Sequence, residues 1–362
     1  MRTLLLTCCL LLFACGSTVA SQSAPKAAPS QAELEELWKT GSLWQVGDNI
    51  PKVDAARKAL VEAGEAGLAF AFTKLGSSDS LQYRCLEVVF KGFGAQALPG
   101  LLERMAHEEV QVRRNVAALL GVIDDRSVAG QMVDHLKKEA DLRCKVGHLQ
   151  TLARWKEPTA LGPLIDCTRV TQDKEPLAER LKVRIVPLLA NYEDEKVIAR
   201  LIELLDDDAY FVRDAARDAL KGSPPGIEKC RQVVEAALTA KRQVALPASM
   251  PLLLGVCAAS SVRGHHDVFL AALAVESGAL RSAGARALSA YLDNVAVALK
   301  GRAKSGRVHS NGMTEGEMEL GDFQQDLVAI KQHVDRQIKS ESDPGALASC
   351  EELLEALARL LN

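Results

Sequence analysis

The sequence predicts an all-α protein, a right-handed α-solenoid of stacked antiparallel helix pairs, and three observations predict it. Hydrophobic residues make up 48% of the 362, yet aromatic residues only 4%, so the apolar fraction is mostly Ala, Leu and Val. That poverty in aromatics disfavours a sandwich or barrel. Apolar residues recur at i, i+3, i+4 and i+7 within short runs, the stripe of a helix with one core-facing side. The chain also matches itself at a spacing of about 30 residues, the signature of a repeat architecture. Charged residues at 25% exclude wholesale disorder. A formal net charge of −3 gives no electrostatic reason to expect nucleic acid as a partner.

Residues 1–20 read as a secretory leader: Arg2, then an apolar run from Leu4 to Ala14 interrupted only by Thr7. Leu12-Phe13-Ala14-Cys15-Gly16 resembles the lipobox of bacterial lipoproteins, which implies lipid attachment at Cys15 and anchoring to a membrane. Phe13 departs from that pattern, since the slot usually holds a small residue. Ordinary cleavage after Thr18-Val19-Ala20 is the rival, and both readings place the protein outside the cytoplasm. No later segment is expected to span a bilayer. Residues 21–31 are rich in Ser, Ala and Pro and read as a flexible tether. Residues 32–50 form an N-terminal cap, with a first helix over 32–39 and Trp38 and Trp44 covering exposed core.

The body, residues 51–300, is built from repeats. Asp54 to Leu60 matches Asp214 to Leu220 at six of seven positions, and Arg281 to Leu288 fits the frame of Arg213 to Leu220. Apolar-Arg pairs recur at Arg84, Arg113, Arg143, Arg184, Arg213 and Arg281. Their spacing is about 30 residues, except for 41 before Arg184 and 68 before Arg281. A degenerate unit around Ala248 fills the long gap, Val53 occupies the Arg slot of the first unit, and an insertion falls around residues 168–178. About eight units result. Each has a first helix with the apolar-Arg pair and small residues, a Gly, Asp or Pro break, and a more apolar second helix such as Ala97 to Leu102 or Ala160 to Ile165.

These segments, with Asp208 to Leu220 (DAYFVRDAARDAL), resemble HEAT-like repeats, especially the short bacterial kind related to phycobilisome lyase repeats. The resemblance covers roughly residues 50–300; its motifs are specific for the fold, a stack of helix pairs, and nearly silent on function. The arginines admit two readings. An acid stands five residues upstream of most of them, at Asp79, Glu108, Glu179, Asp208 and Glu276, which suits a structural ladder of caps and ion pairs. A row of cations binding phosphate or carboxylate is the rival.

Chemistry leaves few marks. HEAT-like solenoids include the deoxyhypusine hydroxylases, whose repeated His-Glu pairs hold iron, but here only His107-Glu108 has that dipeptide. His265-His266-Asp267 reads as a helix start at an inter-helix junction. No HExxH, CxxC, G-x-S-x-G, Walker or dinucleotide motif occurs, so no catalytic residue, metal or cofactor is expected.

Of nine cysteines, Cys8, Cys9 and Cys15 belong to the leader. Cys144 and Cys167 lie equidistant from a turn near Lys156, and Cys230 and Cys257 from a junction near residues 243–244. Both pairs suit disulfides in an oxidising compartment; buried free thiols are the alternative. Residues 301–316, with Arg302, Lys304 and Arg307, read as a mobile loop, and residues 317–362 as a C-terminal helical cap whose last helix starts at Asp343-Pro344. The expectation is thus a non-catalytic exported scaffold that binds an unidentified protein or peptide. A lyase-like or metal-bearing enzyme and a purely structural envelope component are the alternatives.

Overall fold

A computed structural model describes residues 28–171, 177–240, 246–303 and 313–362. The leader with Cys15, most of the tether, the centre of the expected insertion, the junction near 243–244, and Lys304 and Arg307 lie outside the described residues. Among the described residues the elements are helices, and they divide into two compact units.

The first unit holds α1 (Gln31–Gly41), α2 (Asn49–Glu62), α3 (Gly64–Thr73) and α4 (Ser80–Phe93). A capping box starts α1: Ser30 Oγ accepts from the Glu33 N–H, and the Glu33 carboxylate accepts from the Ser30 N–H at 2.7 Å. Trp38 is buried and meets Phe70 of α3 edge-on, with ring centroids 6.4 Å apart. On α2 the buried Arg57 donates to the Gly41 carbonyl at 2.8 Å and to Gln45 at 3.0 Å, closing the α1–α2 turn. Asp79 caps α4 by accepting from the Leu81 and Gln82 N–H groups. One expectation needs correction here: Ser80–Arg104 is long and apolar enough to cross a membrane. It is interrupted at Gly94, where φ is 55°, and it buries Cys85, Leu86, Val89, Phe90, Leu98 and Leu101 as core.

The second unit contains, in order, α5 (Leu98–Arg104), α6 (Val110–Ile123), α7 (Ala129–Leu136), α8 (Leu142–Arg154), α9 (Leu161–Cys167) and α10 (Ala178–Leu189). It continues with α11 (Glu195–Glu203), α12 (Tyr210–Lys221), α13 (Pro224–Thr239), α14 (Met250–Cys257) and α15 (Asp267–Leu273). Its last helices are α16 (Gly278–Ala303), α17 (Glu315–Ile338) and α18 (Pro344–Leu361). From α6 to α18 each even-numbered helix packs on the next even-numbered one, and each odd-numbered helix packs on an even-numbered neighbour. This is the two-row stack of a helical-repeat α-solenoid, in which a pair buries its second face only against the following pair. The expected ladder falls on first-row helices: Arg113 on α6, Arg143 on α8, Arg184 on α10, Arg213 on α12 and Arg281 on α16. Ala248 lies in the turn before α14.

Small residues set the helix spacing. A Cβ at Gly147 of α8 would stand 3.1 Å from the Ala117 methyl of α6, and one at Gly121 of α6 would collide with Thr151 Oγ1 of α8. The two helices therefore meet nearly backbone to backbone. At the C-terminal end, α16 continues to Ala303, so residues 301–303 are helix where a loop was expected. The last helix does start at Pro344, with the Asp343 carboxylate accepting from the Ala346 N–H at 2.8 Å.

Candidate functional site

The turn from α7 to α8 gathers a buried polar cluster in the second unit. His135 occupies the last turn of α7, Glu139 the turn, and Cys144 and His148 stand four residues apart on α8, so they share one helix face. Asp141 caps α8 by accepting from the Cys144 N–H at 2.8 Å, which points the first turn of α8, and the Cys144 side chain with it, toward α6. One ligand atom from each of His135, Cys144 and His148 falls within 4.8 Å of the others. The His135 and His148 rings meet edge-on with centroids 5.3 Å apart.

Cys144 and His148 are 0% exposed. Neither ring nitrogen of His148 has a hydrogen-bond partner. Burial, helped by the neighbouring His135, pushes its imidazole down to about 3, so the ring is neutral at physiological pH. Burial, then its hydrogen bond to Glu139 and that group's charge, drives the Cys144 thiol far above its usual range. The Glu139 side chain is 1% exposed. Burial alone would raise its carboxyl, but Arg113, the Asp141 N–H, Cys144 and His135 hold it well below the usual carboxylate range. Arg113 of α6 closes on both its oxygens, at 2.9 and 3.1 Å.

The arginine series is structural in the places where its contacts are defined. Arg113, Arg213 and Arg281 each donate through Nη1 to the backbone carbonyls five and six residues upstream, at 2.6–3.1 Å. The upstream acids Glu108, Asp208 and Glu276 therefore supply carbonyl oxygens here, where a capping or pairing carboxylate was expected. The carboxylate partners come from the chain ahead, Glu139 for Arg113 and Glu341 for Arg281. Arg84 lies over the Trp44 ring at 5.7 Å, Arg184 donates to Gln150 at 3.1 Å, and Arg143 is exposed.

Neither expected disulfide is present; Cys144, Cys167, Cys230 and Cys257 are buried free thiols, as are Cys85 and Cys350. Cys144 Sγ is directed at the Arg113 carbonyl of α6, 3.5 Å away, rather than at α9 where Cys167 lies. Cys230 and Cys257 are electrostatic neighbours, and burial raises both thiols. His107 accepts from the Glu109 N–H in a surface turn, and His266 stands at the start of α15. Sequence reasoning named none of His135, Glu139 or His148 as functional. The signal lies in His135-x3-Glu139 and Cys144-x3-His148, spacings that place side chains together on one turn of helix, where the hydroxylase pattern is a His-Glu dipeptide.

A second feature lies on the surface of the same unit. Tyr210 and Phe211 open α12 at 61% and 62% exposure, with ring centroids 5.4 Å apart. Phe211 borders a groove of about 490 Å³ walled by Val183 and Pro187 of α10 and by Ala215 and Ala219 of α12.

The helix order and these two features define an all-α helical-repeat protein with a buried polar centre and an exposed aromatic pair. No protein-family model matches the chain, and no curated protein does. Among solved structures it is similar to the complex of CpcE and CpcF of phycocyanin lyase from Nostoc, with 16% identity and a TM-score of 0.35. That likeness covers 72% of this chain and 94% of the other. It is also similar to human deoxyhypusine hydroxylase in complex with glycerol, with 16% identity, a TM-score of 0.26, and coverage of 72% and 96%.

Proposed function

We propose that the protein is a non-catalytic, exported scaffold that binds a protein or peptide partner at the Tyr210–Phe211 face of α12. The observation that supports this reading is the aromatic pair itself. The second unit buries Trp155, Phe269, Tyr291 and Phe323, yet leaves these two adjacent rings in water beside a groove whose apolar wall also carries Asp214 and Asp218. Large amphipathic rings with few rotatable bonds are the usual anchors of protein interfaces. Two adjacent rings meeting edge to face present more apolar area than a lone surface residue needs. Export rests on the leader-like residues 1–20, with lipid attachment at Cys15 as its finer form, and the mass of the mature N-terminus tests it.

The test of binding is site-specific photo-crosslinking in the native cell, with the reactive amino acid placed at Phe211 and, as a control, at the exposed Glu351 of α18. A discrete adduct at Phe211 that is absent at Glu351 is the expected result. Equal or no adduct formation at the two positions would remove this face as the binding site.

A further inference from the structure

We propose that His135, Cys144 and His148 form a transition-metal site that takes a borderline-soft divalent cation of the zinc class. Three geometric observations carry it, and none depends on partner binding. The three donor atoms lie within 4.8 Å of one another. Zinc bonds of about 2.0–2.3 Å place tetrahedral donors roughly 3.5 Å apart, so shifts of about 1 Å close the triad around an ion.

His148 is the second observation. A fully buried imidazole with neither nitrogen hydrogen-bonded is an exception among native side chains and calls for a specific explanation. An ion between His148, His135 and Cys144 supplies a partner for one of the two nitrogens.

The third observation is Glu139. One of its oxygens accepts from Arg113 Nε at 2.9 Å and His135 Nε2 at 3.1 Å. The other accepts from Arg113 Nη2 at 3.1 Å and the Asp141 N–H at 2.8 Å. The Cys144 thiol is a further neighbour of this carboxylate. Glu139 is therefore a positioning residue: it holds Nε2 of His135 as the donor and leaves Nδ1 with the lone pair, as carboxylates do for metal-bound imidazoles. Two imidazoles and a thiolate select zinc-like ions over magnesium or calcium. Binding releases the Cys144 thiol proton to solvent and forms the metal–sulfur bond, with no change of oxidation state. With Cys144 and His148 fully enclosed and His135 12% exposed, His135 marks the way in, and the ion ties α7 to α8.

The experiment uses the purified full chain, stripped of metal by a chelator and titrated with Co²⁺. The expected result is a thiolate-to-cobalt charge-transfer band with the intense visible bands of a four-coordinate site, saturating at one cobalt per chain and displaced by Zn²⁺. Cys144→Ser should lose the charge-transfer band, and Cys257→Ser should keep it. Glu139→Gln should keep the band while weakening affinity about 10–100-fold. No charge-transfer band in the wild-type chain at saturating cobalt overturns the proposal, as does a band that survives Cys144→Ser. Should Cys144→Ser fail to fold, X-ray absorption at the zinc edge of the wild-type chain decides: one sulfur per zinc supports the site, and a purely nitrogen and oxygen shell rejects it. Stoichiometric copper in place of zinc in protein isolated from its native cell would overturn the metal assignment.

Discussion

Arg113 grips both oxygens of Glu139 while its Nη1 holds the His107 and Glu108 carbonyls, and Arg281 repeats the arrangement with Glu341. In both cases the acid stands two residues before a helix cap. Glu139 accepts from the Asp141 N–H and Asp141 caps α8, while Glu341 accepts from the Asp343 N–H and Asp343 caps α18. Each arginine thus ties the turn before its own helix to the start of the next first-row helix. The tie is made at two of the apolar-Arg pairs, Arg113 and Arg281; Arg213 makes only its carbonyl half.

Arg281→Met leaves Glu341 buried, charged and without its partner, since the Glu341 side chain is 1% exposed. Breaking one side of such a pair costs about 3 kcal/mol. Urea unfolding should show a midpoint lowered accordingly, with part of the loss recovered in the Arg281→Met, Glu341→Gln double variant. Additive losses in the double variant would mean that the two side chains do not act as a pair.

The same pair makes stability depend on pH in a defined direction. Hydrogen bonds from Arg281, followed by the backbone N–H groups of Asp343 and Ser342, hold the Glu341 carboxyl at about 2, against an ordinary value of 4.5. A depressed carboxyl stabilises the fold fully above its unfolded value, and that contribution is lost as pH falls from 4.5 through about 2. Glu341→Gln should therefore be less stable than wild type near neutrality, and the gap should close across this acid window. A gap that stays constant down to about pH 2 would contradict the assignment.

The fold was legible because every unit must solve the same packing problem. The apolar-Arg pair and the Ala-rich frame recur with the period of the helix pairs, and Arg113, Arg184, Arg213 and Arg281 all landed on first-row helices. The ladder's purpose was half legible: the acids at Glu108, Asp208 and Glu276 marked the right turns, but the bonds run through their carbonyls, which carry no sequence signature. The buried cluster was not legible for a related reason. His135 sits before a turn, Glu139 within it and Cys144 and His148 after it, and no periodic rule says that a tight turn will bring them together. Cys144 was read for its distance to Cys167, whereas its neighbours are set by the close contact of α8 with α6.

That close contact makes Gly121 sensitive. A methyl group there meets Thr151 Oγ1 directly, and Thr151 is buried, so its side chain must turn from the Gly147 carbonyl or the two helices must move apart. Overpacking of this kind costs about 1–3 kcal/mol. Gly121→Ala should lower the thermal midpoint, and Gly121→Ala with Thr151→Ala should restore most of it.

Tyr210 and Phe211 should behave in the opposite way. Replacing both with Ser removes exposed rings whose loss leaves no cavity, so stability should change by less than about 0.5 kcal/mol. Any partner that depends on this face should lose affinity by at least about tenfold, the weight of one modest hot spot. Isothermal titration with the cross-linked partner, alongside thermal melting of the variant, separates the two effects.

His148→Leu gives the sharpest sign test at the buried cluster. Leu has no polar atoms, so the substitution removes two unsatisfied nitrogens from a site that is 0% exposed. Replacing unpaired buried polar atoms by an apolar group of similar size is neutral to stabilising, here by about 1 kcal/mol in the metal-free chain. Zinc should raise the thermal midpoint of the wild-type chain and leave that of His148→Leu unchanged, because a ligand that binds the native state stabilises it by mass action. The wild-type chain would then be the less stable of the two without metal and the more stable with it. A variant less stable than wild type in both conditions would show that the imidazole already has its partners in the metal-free fold.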